Sequence, residues 1–340
     1  MKAVRLHEYG KPPVAEEVPE PAVASPLDVL VEVGGAGLCR TDLDLIEDRW
    51  VGMIGTRLPY TLGHENAGWV YDIGSGVTNV SPGDAVILQP LVNCGLCRAC
   101  RSGNDRHCER SRTPGIDSDG GMAELVLTNA MSVVKIPSTL DPTNIAVLAD
   151  AGLAAYHAVK SALSFVPPGS CVVVLGGDAL AQIGLQCVTA LSPYDTVVVD
   201  LSDWGKRGGS GAPETAEAER QRIDAVLDLT AGRGAHLVLD FLGTNESGAA
   251  ALALLRRAGA YFVTGYGAGI ELPTNEILQA HLVGRLVGSH QDLGELMGLV
   301  AAGKVHTSTS VYRLDGIGDA VANLSAGRVA DWVVLSPNVE

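Results

Sequence analysis

Residues 172–186 read VVVLGGDALAQIGLQ, and this stretch decides the fold of the second half of the chain. The Val-rich run around it, 171–176, suits a strand buried on both faces of a parallel sheet. It meets a pair of glycines, Gly176 and Gly177, and then Ala, Leu and Ile at helical spacing. Strand, glycine turn and helix in that order open a dinucleotide-binding unit. Such a turn works by presenting bare backbone to a pyrophosphate, and here it presents Asp178.

The alternation continues outward from this turn. Apolar runs at 195–200, 236–242 and 260–264, with a further one at 285–288, read as strands, and SGAAALALLRRA (247–258) reads as a crossover helix. An Ala-rich helical pattern spans 145–164. Residues 149–289 are therefore expected to form a doubly wound, Rossmann-type parallel-sheet domain. Upstream, DVLVEVGGAG (28–37), AGWVYDIGSG (67–76), DAVILQP (84–90) and AELVLTN (123–129) are short β-like runs broken by Gly and Pro. They place a mostly antiparallel β domain over 1–148, which residues 290–340, with their mixed pattern, are expected to complete. Two domains suit a length of 340 residues. With 46% apolar residues but only three Phe, both cores must be built mainly from Val, Leu, Ile and Ala.

The formal charge is -15, and no basic block offsets it, which argues against a nucleic-acid partner. MKAVRLHEYG at the start has no apolar segment of a secretory signal, and no run is long and apolar enough to span a membrane. A cytoplasmic protein with no membrane partner is expected. Of seven cysteines, four crowd between 94 and 108. In an intracellular chain that pattern favours a metal over disulfides.

The crowded segment, NCGLCRACRSGNDRHC, sets Cys94, Cys97, Cys100 and Cys108 at C-x2-C-x2-C-x7-C spacing. Short spacings let one loop wrap a tetrahedral Zn²⁺, and four thiolates leave no open position, so the site reads as structural. An iron–sulfur cluster is the alternative the same spacing admits. His107 is read as a loop residue.

A second group is scattered. Gly63-His64-Glu65 precedes a strand, Cys39 lies in GLCRTDLD, and Asp150 lies in LADAGLAAYHAV. Singly, each would be an ordinary structural residue. Together, GLCRTD, GHENAGWV, the cysteine loop and DAGLAAYHAV resemble the zinc-dependent medium-chain alcohol dehydrogenases over essentially the whole chain. The resemblance implies an α/β protein, with a GroES-like catalytic β domain beside the Rossmann-type domain. It implies a catalytic zinc on Cys39, His64 and Asp150, with Glu65 as an exchangeable or indirect ligand and the fourth position open to a substrate oxygen. Many relatives carry Cys where Asp150 stands. It gives Thr41 a hydrogen bond to the substrate oxygen and the start of a proton relay, which continues in many relatives to a His where this chain has Asp44.

For a dinucleotide, NAD(H), the resemblance assigns Arg40 to the pyrophosphate, Gly176 and Gly177 to the turn, Asp200 to the adenosine ribose and Gly265 to backbone around the nicotinamide. Asp240-Phe-Leu-Gly resembles the usual D-x-x-G. Departures accompany these. Asp178 takes the second glycine of G-x-G-x-x-G and Ala181 the third. Trp332 stands where relatives often carry an Arg that touches phosphate. WGKRGGSGAPETAEAE, from 204, follows where relatives usually carry a helix and a Gly-Ala-Asp strand, and that helix is expected to be lost to a flexible loop. Trp50 and Leu58 are candidate pocket residues.

These features admit an NAD(H)-linked zinc alcohol dehydrogenase or carbonyl reductase acting on a small molecule. They also admit a redox-neutral zinc enzyme on the same scaffold, performing elimination, hydration or condensation with a degenerate NAD site. A zinc-structured binding protein is a third reading, opposed by the full set of ligand-type residues. A homodimer or homotetramer is expected from the resemblance.

Overall fold

The computed structural model describes residues 1–49, 57–192, 195–199, 216–265 and 269–339. The chain divides into two compact units. The first comprises Met1–Leu153, Ser289–Ala302 and His306–Glu340, and the second Ala154–Gly288 and Gly303–Val305.

In chain order the first unit contains β1 (Lys2–Leu6), β2 (Val14–Glu17), β3 (Asp28–Leu38), α1 (Arg40–Ile46), β4 (Tyr60–Thr61), β5 (Glu65–Ile73), β6 (Ala85–Leu88), α2 (Arg98–Arg101), β7 (Leu125–Asn129), β8 (Val133–Lys135) and α3 (Pro142–Ile145). The long strand β3 organises them. It pairs antiparallel with β5, β7 and the late strand β15 (Trp332–Ser336). Its side chains are buried along almost the whole length, Val29, Val31 and Val33 being fully enclosed. Valines on β3 meet Val70, Val86, Val126 and Leu335 in a core that needs almost no aromatic residues. β-branched residues suit this role because they are stiff and pack well on a pleated surface.

Helix α4 (Ala151–Leu163) crosses into the second unit. There follow β9 (Cys171–Leu175), α5 (Ala179–Leu191), β10 (Asp195–Val199), α6 (Ala216–Leu229), β11 (Ala235–Asp240), α7 (Asn245–Leu254), β12 (Leu255–Val263), α8 (Thr274–Ile277) and β13 (His281–Gly284). The five strands lie in the order β10-β9-β11-β12-β13, every neighbouring pair parallel. β9 and β11 are buried on both faces, as their unbroken apolar runs require. The chain returns to the first unit through α9 (His290–Ala301), β14 (Thr309–Arg313), α10 (Ile317–Ser325) and β15.

Three boundaries differ from the sequence reading. The helix expected over 247–258 ends at Leu254, and Leu255 already pairs with Ala235 on β11. Local pattern continues helically there, but strand pairing overrides it. A register shift between Ala235 and Leu237, with Ala258 at φ 60, absorbs the misfit. The strand expected at 285–288 is β13, four residues earlier. The loop expected from 204 lies outside the described residues as far as 215, but its tail, AEAE from Ala216, is helical and begins α6.

One buried acid shapes the end of β11. Asp240, 1% exposed, accepts hydrogen bonds from Ser247 Oγ and Tyr261 OH at 2.7 Å each, from Leu242 N at 2.8 Å and from Gly243 N at 3.1 Å. A carboxylate with that many donors is fully satisfied, and it binds the D-x-x-G turn to α7 and β12. Removing it would strand buried donors. We expect Asp240→Ala to lower the unfolding free energy by about 3 kcal/mol or more, and Tyr261→Phe by about 1–2 kcal/mol. Denaturant titration of the two variants against wild type measures both.

Candidate metal centres and dinucleotide turn

The first centre lies in the first unit and starts from the end of β3. Cys39 caps α1, and Asp42 completes a capping box by accepting the Cys39 N–H on Oδ2 at 2.9 Å. The other oxygen of Asp42 lies 3.5 Å from His64 Nδ1. His64 stands just before β5, 1% exposed. Its Nε2 lies 3.4 Å from Cys39 Sγ and 3.5 Å from Asp150 Oδ2. Asp150 ends the turn that leads into α4. Glu65 Oε1 accepts the Ala151 N–H at 3.0 Å, while its buried Oε2 has no hydrogen-bond partner among the described residues.

The spacing fits a cation. Ligand bonds of ~2.0–2.3 Å in tetrahedral geometry put donor atoms about 3.3–3.8 Å apart. The Cys39–His64 and His64–Asp150 separations fall in that range. The donor set is one thiol, one imidazole and carboxylates, which suits Zn²⁺. The orphaned Glu65 oxygen points the same way, since a buried carboxylate oxygen needs a proton, a donor or a cation.

The electrostatics agree. Burial pushes the Cys39 thiol up to about 12, with Glu65 and Asp42 adding to it against the opposing His64. Burial also pushes Glu65 up to about 8, with His64 opposing and Asp150 reinforcing. At His64 burial favours the neutral ring, but the negative groups at Cys39 and Asp42 outweigh it and raise its pKa well above the ordinary value. Burial thus disfavours the charged forms of Cys39 and Glu65, and a divalent cation between them would oppose both shifts.

Asp42 is the residue that sequence reasoning missed. Its signal was the three-residue offset from Cys39, which is capping-box spacing. Its Oδ1 faces Nδ1 at 3.5 Å without hydrogen-bond geometry, on the side of the ring from which an outer carboxylate orients a metal-binding histidine. Gly37 was missed as well. It pairs with Glu65 across β3 and β5, and a Cβ there would collide with the Glu65 carboxylate.

Thr41 follows Cys39 in the first turn of α1, half-buried. The relay expected to pass from it to Asp44 meets an obstacle: Asp44 Oδ1 is engaged by Arg40 Nε at 3.2 Å and Arg49 Nη1 at 3.1 Å. Arg40, read as a phosphate contact, is thus held by an acid on its own helix. Leu58 is half-buried, and Trp50 lies outside the described residues.

The second centre is the cysteine loop. Cys94, Cys97, Cys100 and Cys108 bring their sulfurs within 4.8 Å of one another. Cys97 and Cys100 are 3.5 Å apart and Cys94 and Cys100 4.0 Å, close to the ~3.8 Å edge of a zinc–thiolate tetrahedron. Backbone N–H groups of Leu96 and Cys97 donate to Cys94 Sγ and lower that thiol to about 6, and Arg110 Nη2 donates to it at 3.5 Å. Cys100 is pushed up to about 12, first by burial and then by its sulfur neighbours. Asp105 seats the loop by accepting from Gln89, Asn93 and the His290 N–H. His107 stays outside the sulfur cluster and accepts from Arg106 at 3.2 Å.

In the second unit, Gly176 and Gly177 link β9 to α5 as expected of a dinucleotide turn. Gly176 has φ 132, which a side chain would strain, and its Cβ would press on Ala181. Gly265 packs against the backbone of Phe241 and Leu242. Asp178 caps α5, its Oδ1 accepting the Ala181 N–H at 3.0 Å. Asp200 lies outside the described residues. Trp332 begins β15 in the first unit, half-buried, its N–H donating to Ser308 O at 3.0 Å.

Comparison with known proteins bears on both units. A family model for the alcohol dehydrogenase GroES-like domain matches residues 25–138, and one for zinc-binding dehydrogenases matches 210–335. The chain is 31% identical to an NAD-dependent alcohol dehydrogenase of Sulfolobus acidocaldarius, covering 98% of this chain and 99% of that one. It is 32% identical to a D-arabinose 1-dehydrogenase (NADP(+)) of Saccharolobus solfataricus, covering 99% and 97%. Among solved structures, the alcohol dehydrogenase of the hyperthermophilic archaeon Aeropyrum pernix is similar, with 38% identity, a TM-score of 0.89 and coverage of 99% and 100%.

Metal removal should show in the pH dependence of stability. Glu65 and His64 have folded pKa values above their ordinary ones when no cation is present. Their contribution to stability is then complete below about 4.5 for Glu65 and is lost as pH rises through about 8. Metal binding has the opposite slope, because ligands must lose protons. We expect chelator-stripped protein to lose stability from pH 6 to 8, by up to about 1.4 kcal/mol per pH unit for each group. The gap in Tm between zinc-loaded and stripped protein should widen over that range in calorimetry.

Proposed function

The chain belongs to the zinc-dependent medium-chain alcohol dehydrogenase family, and from that premise we propose that it interconverts a small-molecule alcohol and its carbonyl compound, with a nicotinamide dinucleotide exchanging the hydride. The observation that carries the reading is that His64 Nε2 stands 3.4 Å from Cys39 Sγ and 3.5 Å from Asp150 Oδ2, each the separation of two ligands on one tetrahedral zinc. Nothing in the chain's relatives favours a redox-neutral reaction.

In this reading Cys39, His64 and Asp150 hold the catalytic zinc, and Cys94, Cys97, Cys100 and Cys108 hold a structural one. Zinc bound at the first site supplies a Lewis acid that eases loss of a proton from an alcohol oxygen or polarises a carbonyl oxygen. The chain's residues do the rest. The Cys39 thiolate and Asp150 carboxylate offset the charge of the dication. Asp42, with Oδ1 3.5 Å from Nδ1, favours a proton on that nitrogen and leaves the Nε2 lone pair to the metal. Thr41 Oγ1 accepts a hydrogen bond from the alcohol oxygen and, as that proton moves onto it, releases its own hydroxyl proton to solvent, which half-buried Thr41 can reach; the reverse direction runs the same path backwards. Glu65, tethered through Oε1 to the Ala151 N–H, has a buried Oε2 without a partner among the described residues and would serve as an exchangeable ligand to the zinc. Asp44, engaged by Arg40 and Arg49, is left out of the proton path.

The reading is tested with purified, zinc-loaded protein, a panel of primary, secondary and sugar alcohols, and both NAD⁺ and NADP⁺. Cys39→Ser should lose about one equivalent of zinc and at least ~10³-fold in dinucleotide reduction. Asp42→Ala should keep the fold but bind zinc about 10–100-fold more weakly. Dinucleotide reduction that survives in Cys39→Ser at the wild-type rate would overturn the assignment.

We further read the protein as a cytoplasmic homo-oligomer, a dimer or tetramer. None of the described helices is long and apolar enough to cross a membrane. Support for self-association comes from β13, which ends the parallel sheet and is flanked by Leu278 and Leu286, 81% and 69% exposed. Sedimentation equilibrium should return two or four times the chain mass of 35.2 kDa; a monomer at micromolar concentration would reject this part.

A further inference from the structure

The helix that opens the dinucleotide turn is capped by its own acid. Asp178 sits at the N-cap of α5 in extended backbone, φ -79 and ψ 176, and its Oδ1 accepts the Ala181 N–H. The free N–H groups at such a helix end are what normally receive a dinucleotide's pyrophosphate. Around this point the backbone is right for that task. β9 leads directly into the glycine pair, Gly176 adopts the required positive φ, and Ala181 leaves the helix close to the turn. One side chain departs from the task. The position at which the motif needs bare backbone carries an exposed carboxylate already bonded to one of the amides.

We propose that Asp178 sets dinucleotide affinity in this chain: its carboxylate occupies the phosphate-binding end of α5, and a dinucleotide binds there against like charge and in competition with the cap. This rests on the reading that the chain uses a nicotinamide dinucleotide. Two like charges about 4 Å apart repel by an amount worth roughly fivefold to a thousandfold in affinity, depending on the effective dielectric. Asp178 is exposed, so solvent and salt screen it, and the effect falls on the order of tenfold to a hundredfold.

The repulsion has two signatures that a merely structural residue lacks. It acts on phosphate, so it leaves a phosphate-free ligand alone. It is screened by salt, so it fades as ionic strength rises.

The test is isothermal titration of the full chain with NADH, ADP-ribose and adenosine, for wild type, Asp178→Ser and Asp178→Asn, at low and high salt. Ser and Asn both keep a capping acceptor for the Ala181 N–H, so helix α5 is preserved, and thermal melting verifies this. NADH and ADP-ribose should bind both variants ten- to a hundredfold more tightly than wild type at low salt. The advantage should shrink at high salt, and adenosine should bind all forms alike. Equal dinucleotide affinity in wild type and variants would overturn the proposal. So would a gain that salt leaves unchanged, a gain shared by adenosine, or an absence of dinucleotide binding in every form. Failure of the parent reading looks different: Asp178→Ser would bind NADH tightly yet transfer no hydride to or from any alcohol or carbonyl.

Discussion

The first unit gathers acidic and thiol side chains around a single buried imidazole. Cys39, Asp42, Glu65 and Asp150 all reach His64 or the space beside it. Buried carboxylates without counter-charge cost several kcal/mol each, far more than any one hydrogen bond returns. A fold that brings them together is therefore organised for a cation. The raised pKa values of Cys39 and Glu65 express the same fact as proton affinity.

Strand β3 delivers that arrangement. It crosses the middle of the large sheet, and its end releases the chain into Cys39 and α1. Register with β5 places Gly37 opposite Glu65, where the missing side chain makes room for a carboxylate. The turn before α4 then contributes Asp150 as a donor and the Ala151 N–H as a tether. Residues 86 positions apart in sequence, Glu65 with Ala151 and His64 with Asp150, meet because three stiff, buried elements fix their ends. Since each ligand hangs from a different element, the Val-rich core around β3 is part of the metal site's precision.

Much of this was legible in the chain. Thiol spacing alone disclosed the cysteine loop, because one short loop must wrap the ion. Apolar runs bounded by Gly disclosed β3, β5, β9 and β11. Less was legible where long-range pairing decides. Leu255, Arg256 and Arg257 continue a helical pattern and become strand because β11 offers them a partner. Asp42 reads as an ordinary helix-start acid until His64 is brought to its other oxygen. Arg40 and Asp44 read as functional groups until their i,i+4 spacing on α1 pairs them with each other.

The two units thus answer the family's chemistry unequally. On the metal side, the departure at Asp150 is chemically conservative, since a carboxylate and the thiolate it replaces in the proposed site are both anionic zinc ligands. On the dinucleotide side, Asp178 substitutes charge for bare backbone. An Asp N-cap typically contributes ~1 kcal/mol to helix stability, and α5 is a helix with little else in its first turn to satisfy free amides. The same carboxylate opposes any phosphate that needs those amides. Stability of the turn and affinity for the cofactor draw on one set of N–H groups, so strengthening either weakens the other. Tight cofactor binding is useful to an enzyme only until release limits turnover. A self-capped turn is a physical means of holding a dinucleotide loosely while keeping the sheet and the turn intact.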